Sequence, residues 1–137
     1  MTHAPAWALE ESEKGWAIDP LEAEVTQIRV DYAFTLIIDQ LITLRIESDF
    51  DYFDGESVIH IDPEIAIEQE PLLSLHKVVV QRLNLSRQGT LTIEFIDRRS
   101  ITISPNPSFE SFSLGISGAG LFIGMVGAEV AHFPATN

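Results

Sequence analysis

The sequence predicts a mostly β protein, an antiparallel sandwich or partly open barrel with at most one short helix. The first observation behind this is alternation. Ile42, Leu44 and Ile46 interleave with Thr43, Arg45 and Glu47, and Leu91, Ile93 and Phe95 interleave with Thr90, Thr92 and Glu94. A period of two puts alternate side chains on opposite faces of a strand, so one face is buried. The second observation is a weak internal repeat. Ile38-Asp39-Gln40 followed by Leu44-Arg45-Ile46 echoes Ile96-Asp97-Arg98 followed by Ile101-Thr102-Ile103, at an offset of 58 residues before the turn and 57 after it. Each half then supplies a strand plus a hairpin, and two such similar hairpin units bury their apolar faces against each other.

Residues 1–15 read as a flexible acidic N-terminal arm, with the run Glu10-Glu11-Ser12-Glu13, and residues 16–137 as a single β-rich domain. Order is expected from Trp16-Ala17-Ile18, with a turn at Asp19-Pro20. Val25, Ile28 and Val30 begin a strand. Residues 33–38 and 41–47 form a hairpin around Asp39-Gln40. Ser48–Ser57 is expected to be a loop crowded with acids and aromatics. Val58, Ile59 and Ile61 give a short strand that stops at Asp62-Pro63.

The stretch from Glu64 to His76 has the only helical character, and Pro71 bars a continuous helix, leaving a single turn over Leu72–His76. Val78–Leu85 is the next strand, Ser86–Gly89 a turn, and Asp97-Arg98-Arg99 another. The tail from Ser111 to Ala128 has no charge and carries glycines at 115, 118, 120, 124 and 127. It is shorter than the roughly 20 apolar residues of a membrane helix, and too glycine-rich for a soluble one. Two strands, Phe112–Ile116 and Leu121–Val126, fit it better, and no membrane association is expected.

A chain of 137 residues fits one domain with its own core. It has no cysteine, which removes disulfides and thiolate chemistry. The N-terminus lacks a basic segment followed by an apolar one, so the expected location is cytoplasmic. The net charge of −13 is unevenly placed: residues 1–70 hold 17 acids and 3 bases, residues 71–137 hold 4 acids and 5 bases. An acidic half repels phosphate backbones, which argues against nucleic acid. It keeps the domain monomeric and dissolved, and the alternative reading is that it steers a basic protein toward itself.

The run Asp49-Phe50-Asp51-Tyr52-Phe53-Asp54-Gly55-Glu56 is the most suggestive patch. Its acids resemble a calcium loop, but one residue too many separates the second and third acids. His60 also stands where the bidentate Glu belongs. No metal and no cofactor is expected. As a recognition tip, the run offers Asp49, Phe50, Asp51, Tyr52 and Asp54 to a partner. The competing reading turns two of the aromatics inward, since Phe50 and Tyr52 share one face of an extended segment while Asp51 and Phe53 share the other.

Other patterns carry less. Gly115-Ile116-Ser117-Gly118-Ala119 lacks the last glycine of a nucleophile elbow and the sheet around it. His3, His60, His76 and His132 are scattered, without metal-ligand spacing. Glu94 and Asp97 beside Arg98 and Arg99 suggest surface ion pairs. Asp31-Tyr32 is the candidate for ligand contact, because Asp is disfavoured inside a strand and suits a bend there.

Three stretches carry a family resemblance: residues 25–36, with Val30-Asp31-Tyr32-Ala33-Phe34; Leu44-Arg45-Ile46-Glu47 with Ile61-Asp62-Pro63-Glu64; and Pro107-Ser108-Phe109-Glu110-Ser111-Phe112. Together they resemble an uncharacterised bacterial domain family, one of the domains of unknown function, over Trp16 to Phe133. Phe109 and Phe112 stand where such sequences more often have Tyr and Trp, and Gln40-Leu41 replaces a glycine-bearing turn. The resemblance implies a small bacterial β-rich protein of the kind grouped with immunity and other interaction proteins. It carries no catalytic residues.

The expected function is therefore a protein-binding module rather than an enzyme, of immunity or inhibitor type, engaging a basic protein such as a toxin. A second reading is a small-molecule binding protein or enzyme with a pocket between the sheets, lined by His60, Arg45 or Tyr32. A third is a structural homodimer joined through a sheet edge or the apolar tail.

Overall fold

The computed structural model describes residues 8–135. Ala8–Ser12 (β1) and Gly15–Asp19 (β2) form a hairpin. Val25–Val30 (β3), Phe34–Ile38 (β4) and Ile42–Ile46 (β5) form a meander, and Phe50–Phe53 (β6) and Val58–Ile61 (β7) a second hairpin. After a 3-10 helix over Ala66–Leu75 come a second meander, Val80–Ser86 (β8), Leu91–Phe95 (β9) and Ser100–Ile103 (β10), and then Phe112–Ile116 (β11), Gly120–Gly124 (β12) and Val130–Phe133 (β13). The strands build two antiparallel sheets, in the orders β1-β2-β8-β9-β10-β6-β7 and β13-β12-β11-β5-β4-β3. The sheets do not close on each other, so the fold is a sandwich.

The internal repeat is visible in this topology. The two meanders occupy opposite sheets, and the hairpin after each crosses to the other sheet. Thus β6-β7 extends the second meander through β10, while β11-β12 extends the first through β5. Both meanders carry a register shift at the same place, between Val25 and Gln27 in β3 and between Val80 and Arg82 in β8. The two first strands meet at the Glu24–Val79 bridge, supported by Val25 N–H to Val78 O at 3.0 Å and Val80 N–H to Ala23 O at 2.8 Å.

The offset differs from the sequence reading. Leu36 pairs with Leu44 and Ile93 with Ile101, so both strands of the hairpin repeat at 57. Ile38 matches Phe95, which is buried, and not Ile96, which is 65% exposed in the turn. The inward-facing position, not the Ile-Asp similarity, sets the register. The turns differ in backbone instead. Asp39 and Gln40 both have positive φ, whereas Arg98 alone does in the β9–β10 turn. The first is the primed turn that suits strand twist.

Three further expectations are corrected. Residues 8–12 of the expected arm are the edge strand β1, aligned with β2 from Ala8–Asp19 to Ser12–Gly15. A polar strand suits a sheet edge with little to bury; Met1–Trp7 lie outside the described residues. The expected loop 48–57 contains β6, because its aromatics alternate and bury. The single turn expected at Leu72–His76 is a longer 3-10 helix that contains Pro71, whose missing N–H a 3-10 segment tolerates. Beyond the uncharged tail, β13 adds a third strand to the hairpin expected there.

The inner faces of both sheets fill the space between them. Phe34, Leu36, Leu44, Ile46, Leu83, Ile93, Ile101, Leu114 and Phe122 are wholly buried. Phe50 and Phe112 start the two exchanged hairpins and occupy matching places in the core. Gly124, opposite Phe112, admits no side chain, since a Cβ there would overlap Ser111 Oγ and the Phe112 ring. Among the described residues no helix is long and apolar enough to cross a membrane. We expect Phe50→Ala and Phe112→Ala to cost about 3–5 kcal/mol each, measured by urea unfolding, with near-equal losses.

Candidate functional site

The run singled out in the sequence is split by the sheet. Phe50 and Tyr52 are 2% and 1% exposed and belong to the core. The Tyr52 hydroxyl lies 3.4 Å from Arg99 Nη1, whose guanidinium also binds Asp97 at 2.7 Å and Ser74 Oγ at 2.8 Å. Asp54 shapes the β6–β7 turn, its carboxylate accepting the Glu56 and Ser57 amides at 2.8 and 2.9 Å. The Ser57 and Glu56 N–H groups hold the Asp54 carboxyl below its ordinary value. Of the five residues expected at a contact surface, Asp49 and Asp51 are the two whose side chains stand on the outer face without serving a turn.

Those two flank a histidine. His60 on β7 lies directly opposite Asp51 on β6. Its Nδ1 is 3.0 Å from Asp51 Oδ1 and its Nε2 is 3.0 Å from Asp49 Oδ2. Both contacts are donated only when both ring nitrogens carry protons. The Asp51 and Asp49 carboxylates accordingly raise the His60 pKa above its ordinary 6.5. The group is exposed, and among the described residues no cluster of three or more His, Asp or Glu is placed to hold a metal ion.

Asp31 and Tyr32, expected to touch a ligand, form the β3–β4 turn. The Asp31 carboxylate accepts Arg45 Nη1 at 3.4 Å rather than backbone amides. Tyr32 is 88% exposed at a positive φ. Glu94 pairs with Arg82 at 3.1 Å and Asp97 with Arg99, so both acids serve surface ion pairs. His132 stacks on Phe122 with centroids 4.0 Å apart.

An acidic cleft lies elsewhere, at the end of the sandwich where the chain changes sheets. The first crossover, between β5 and β6, contributes Glu47, Ser48 and Asp49. The segment after β7 contributes Asp62, Pro63 and Glu64, and the second crossover, between β10 and β11, contributes Asn106, Phe109 and Glu110. Together they enclose a cleft of about 540 Å³. Glu47 N–H donates to Ser111 O at 3.0 Å and so ties the two crossovers together. The Asn106 carboxamide oxygen accepts the Ser108 and Phe109 amides at 2.8 and 3.0 Å, a local turn that leaves the Phe109 ring 65% exposed. Asp62 N–H donates to Glu68 at 3.0 Å, and Gln69 Nε2 to Pro63 O at 2.7 Å, anchoring the third wall.

Five carboxylates surround this cleft, and among the described residues no Lys or Arg lines it. Asp49 is engaged by His60 and Glu47 lies 3.7 Å from Arg45, whereas Glu64 and Glu110 form no ion pair among the described residues. Ser48 is among the residues that line it. It is 6% exposed, and its Oγ has no hydrogen-bond partner among the described residues. The alternation explains its burial: Ile42, Leu44, Ile46, Ser48, Phe50 and Tyr52 all face inward.

The stretches 44–47, 61–64 and 107–112 that carry the family resemblance meet at this cleft. A family model, described as a family of unknown function (DUF6188), matches residues 16–134. The chain belongs to this family. No curated protein and no solved structure matches it. The match starts within β2 and ends after β13, so DUF6188 comprises both sheets and every wall of the cleft.

The sequence reading missed most of the cleft because its walls are distant in the chain and join only when the hairpins exchange sheets. The usable signal was Ser48, a polar residue in an otherwise apolar period-two run. For His60, a folded pKa above 6.5 means a stabilising contribution that is complete below the unfolded value and lost as pH rises through the folded one. We expect an NMR titration of the imidazole to show a midpoint above 6.5 that falls back toward it in Asp51→Asn. His60→Gln should remove the corresponding pH dependence of the urea midpoint.

Proposed function

We propose that this chain is a protein-binding module that engages a basic partner through the cleft between the crossovers. The observation that carries this reading is the lining: five carboxylates from three segments, no cationic residue, and an exposed aromatic ring at the rim. Facing carboxylates draw in a cationic surface and raise its encounter rate. Phe109 supplies the apolar anchor that charge alone lacks. The uneven charge of the sequence supports the same direction of attraction, with the acids concentrated in residues 1–70. An inhibitor-type role, in which the module covers the working surface of a basic protein, is the form this binding takes in our reading. The cysteine-free sequence suits a reducing compartment, and we place the protein in the cytoplasm.

This reading moves the contact surface from the aromatics of β6 to the cleft, keeping Asp49. The test is capture from host lysate with the native chain and with the triple variant Glu47→Gln/Glu64→Gln/Glu110→Gln, followed by titration of the captured protein. A basic protein that binds the native chain and loses at least about tenfold in affinity to the variant, roughly 1.4 kcal/mol, supports the proposal. Its binding should also weaken with added salt. Equal binding to both forms, or capture of acidic proteins alone, overturns it.

A further inference from the structure

We propose that the free edge of β7 takes up an extended protein segment as an added strand, apolar at its centre and basic at both ends, in the groove beside the 3-10 helix. The inference does not depend on the cleft and names a second contact surface. β7 ends its sheet, with β6 as its neighbour on the inner side. Asp54 N–H donates to Ser57 O at 3.1 Å, which makes 54 and 57 a hydrogen-bonded pair of that hairpin. Such pairs alternate along an antiparallel ladder, so the N–H and C=O groups of Val58 and His60 point away from β6. Among the described residues they meet no partner.

Proteins protect sheet edges with charge, proline or a covering segment. β1 carries Glu10 and Glu11. β3 is crossed by the segment after the helix, through Lys77 N–H to Val25 O at 2.7 Å and the Glu24–Val79 bridge. β13 runs directly into Pro134. β7, Val58-Ile59-His60-Ile61, contains no proline, Lys, Arg or carboxylate. Beside it lies a groove of about 730 Å³. Ile59 and Ile61 line one side, and Ile67, Glu68, Glu70 and Pro71 of the helix line the other. Ile67 is 77% exposed and Val58 65%, so apolar surface stands in water along both walls. A strand laid about 4.8 Å from β7 would point alternate side chains toward the helix wall. The bare backbone edge and the apolar wall therefore call for the same occupant.

Charge defines its ends. Glu56 precedes β7 and Asp62 follows it, Glu70 stands on the helix wall, and among the described residues no Lys or Arg lines the groove. Acids at both ends of an edge strand favour Lys or Arg at both ends of the strand added to it. The same charges disfavour a second copy. Antiparallel pairing of two β7 edges brings the Glu56 end of each onto the Asp62 end of the other, between chains of net charge −13.

The test titrates the end-blocked peptide Lys-Val-Thr-Val-Thr-Val-Lys into the native chain while its backbone amides are followed by NMR. The amides of Val58, His60, Ile67 and Glu70 should shift, and those of Val58 and His60 should gain protection from exchange. The same peptide with Glu at both ends should bind at least about tenfold more weakly. A form N-methylated at every central residue should not bind. Ile67→Lys, at an exposed position, should weaken the basic peptide by about fivefold or more and leave the urea midpoint unchanged. The cleft variant Glu47→Gln/Glu64→Gln/Glu110→Gln should bind it within about twofold of the native chain. Equal binding of the two end-charge forms overturns the basic occupant, and binding of the N-methylated form overturns strand addition. Binding lost in the cleft variant but kept in Ile67→Lys puts the peptide in the cleft and overturns the edge assignment. A dimer in light scattering with protected β7 amides puts a second copy there and also overturns it. No binding of any peptide overturns it as well and leaves the cleft reading to its own test.

Discussion

The Glu47 N–H donates to the Ser111 carbonyl at 3.0 Å, and this one bond joins the two segments on which the sandwich depends. Each segment carries the chain from one sheet to the other. Each is followed by a hairpin whose first inward residue is a phenylalanine, Phe50 or Phe112. Without the crossings, each meander would be a three-stranded sheet with one apolar face and an open edge at its third strand. With them, β5 is covered by β11 and β10 by β6, and the two faces close over a common core. The strand alternation supplies the apolar faces, but the crossovers decide which faces meet.

The same geometry accounts for the cleft. Backbone leaving one layer for another cannot remain in a ladder, so it exposes polar groups and opens space at the layer's end. Here the outward residues of the short crossover are acidic and the inward residue is a serine. The longer crossover folds back on Asn106 and lifts Phe109 into solvent. Charge and an aromatic face are thus brought to one place by a requirement of the topology. His60 adds a second layer behind it, holding Asp49 from the β7 side.

Much of the fold was legible because period-two alternation is a local property. The β4–β5 hairpin, the β9–β10 hairpin and the first two strands of the tail follow from it directly. The crowding of acids and aromatics over 48–57 reads as a loop and so hides β6, whose inward residues Phe50 and Tyr52 continue the alternation past Ser48. The sequence reading aligned Ile38 with Ile96 by residue type, whereas burial aligns Ile38 with Phe95. The strand β1 was hidden because an edge strand with acidic side chains has almost no apolar pattern to show. The candidate site was legible only at Asp49. Residues 47–49, 62–64 and 106–110 become neighbours through sheet order, which no local pattern encodes.

The exchange of hairpins has a consequence for how the molecule is organised as a whole. Two halves of like topology, each lending its last hairpin to the other, form the arrangement of a two-fold dimer with swapped arms, written into a single chain. In a true dimer of identical chains both crossings would be the same, and any change in one would appear in the other. Covalent fusion lifts that restriction. The crossing at 47–49 is short, while the one at 104–111 is longer and contains its own turn. The cleft between them is therefore lopsided, acidic on one wall and aromatic on the other. A symmetric pair of half-length chains could not make such a surface, because it would have to make both walls alike.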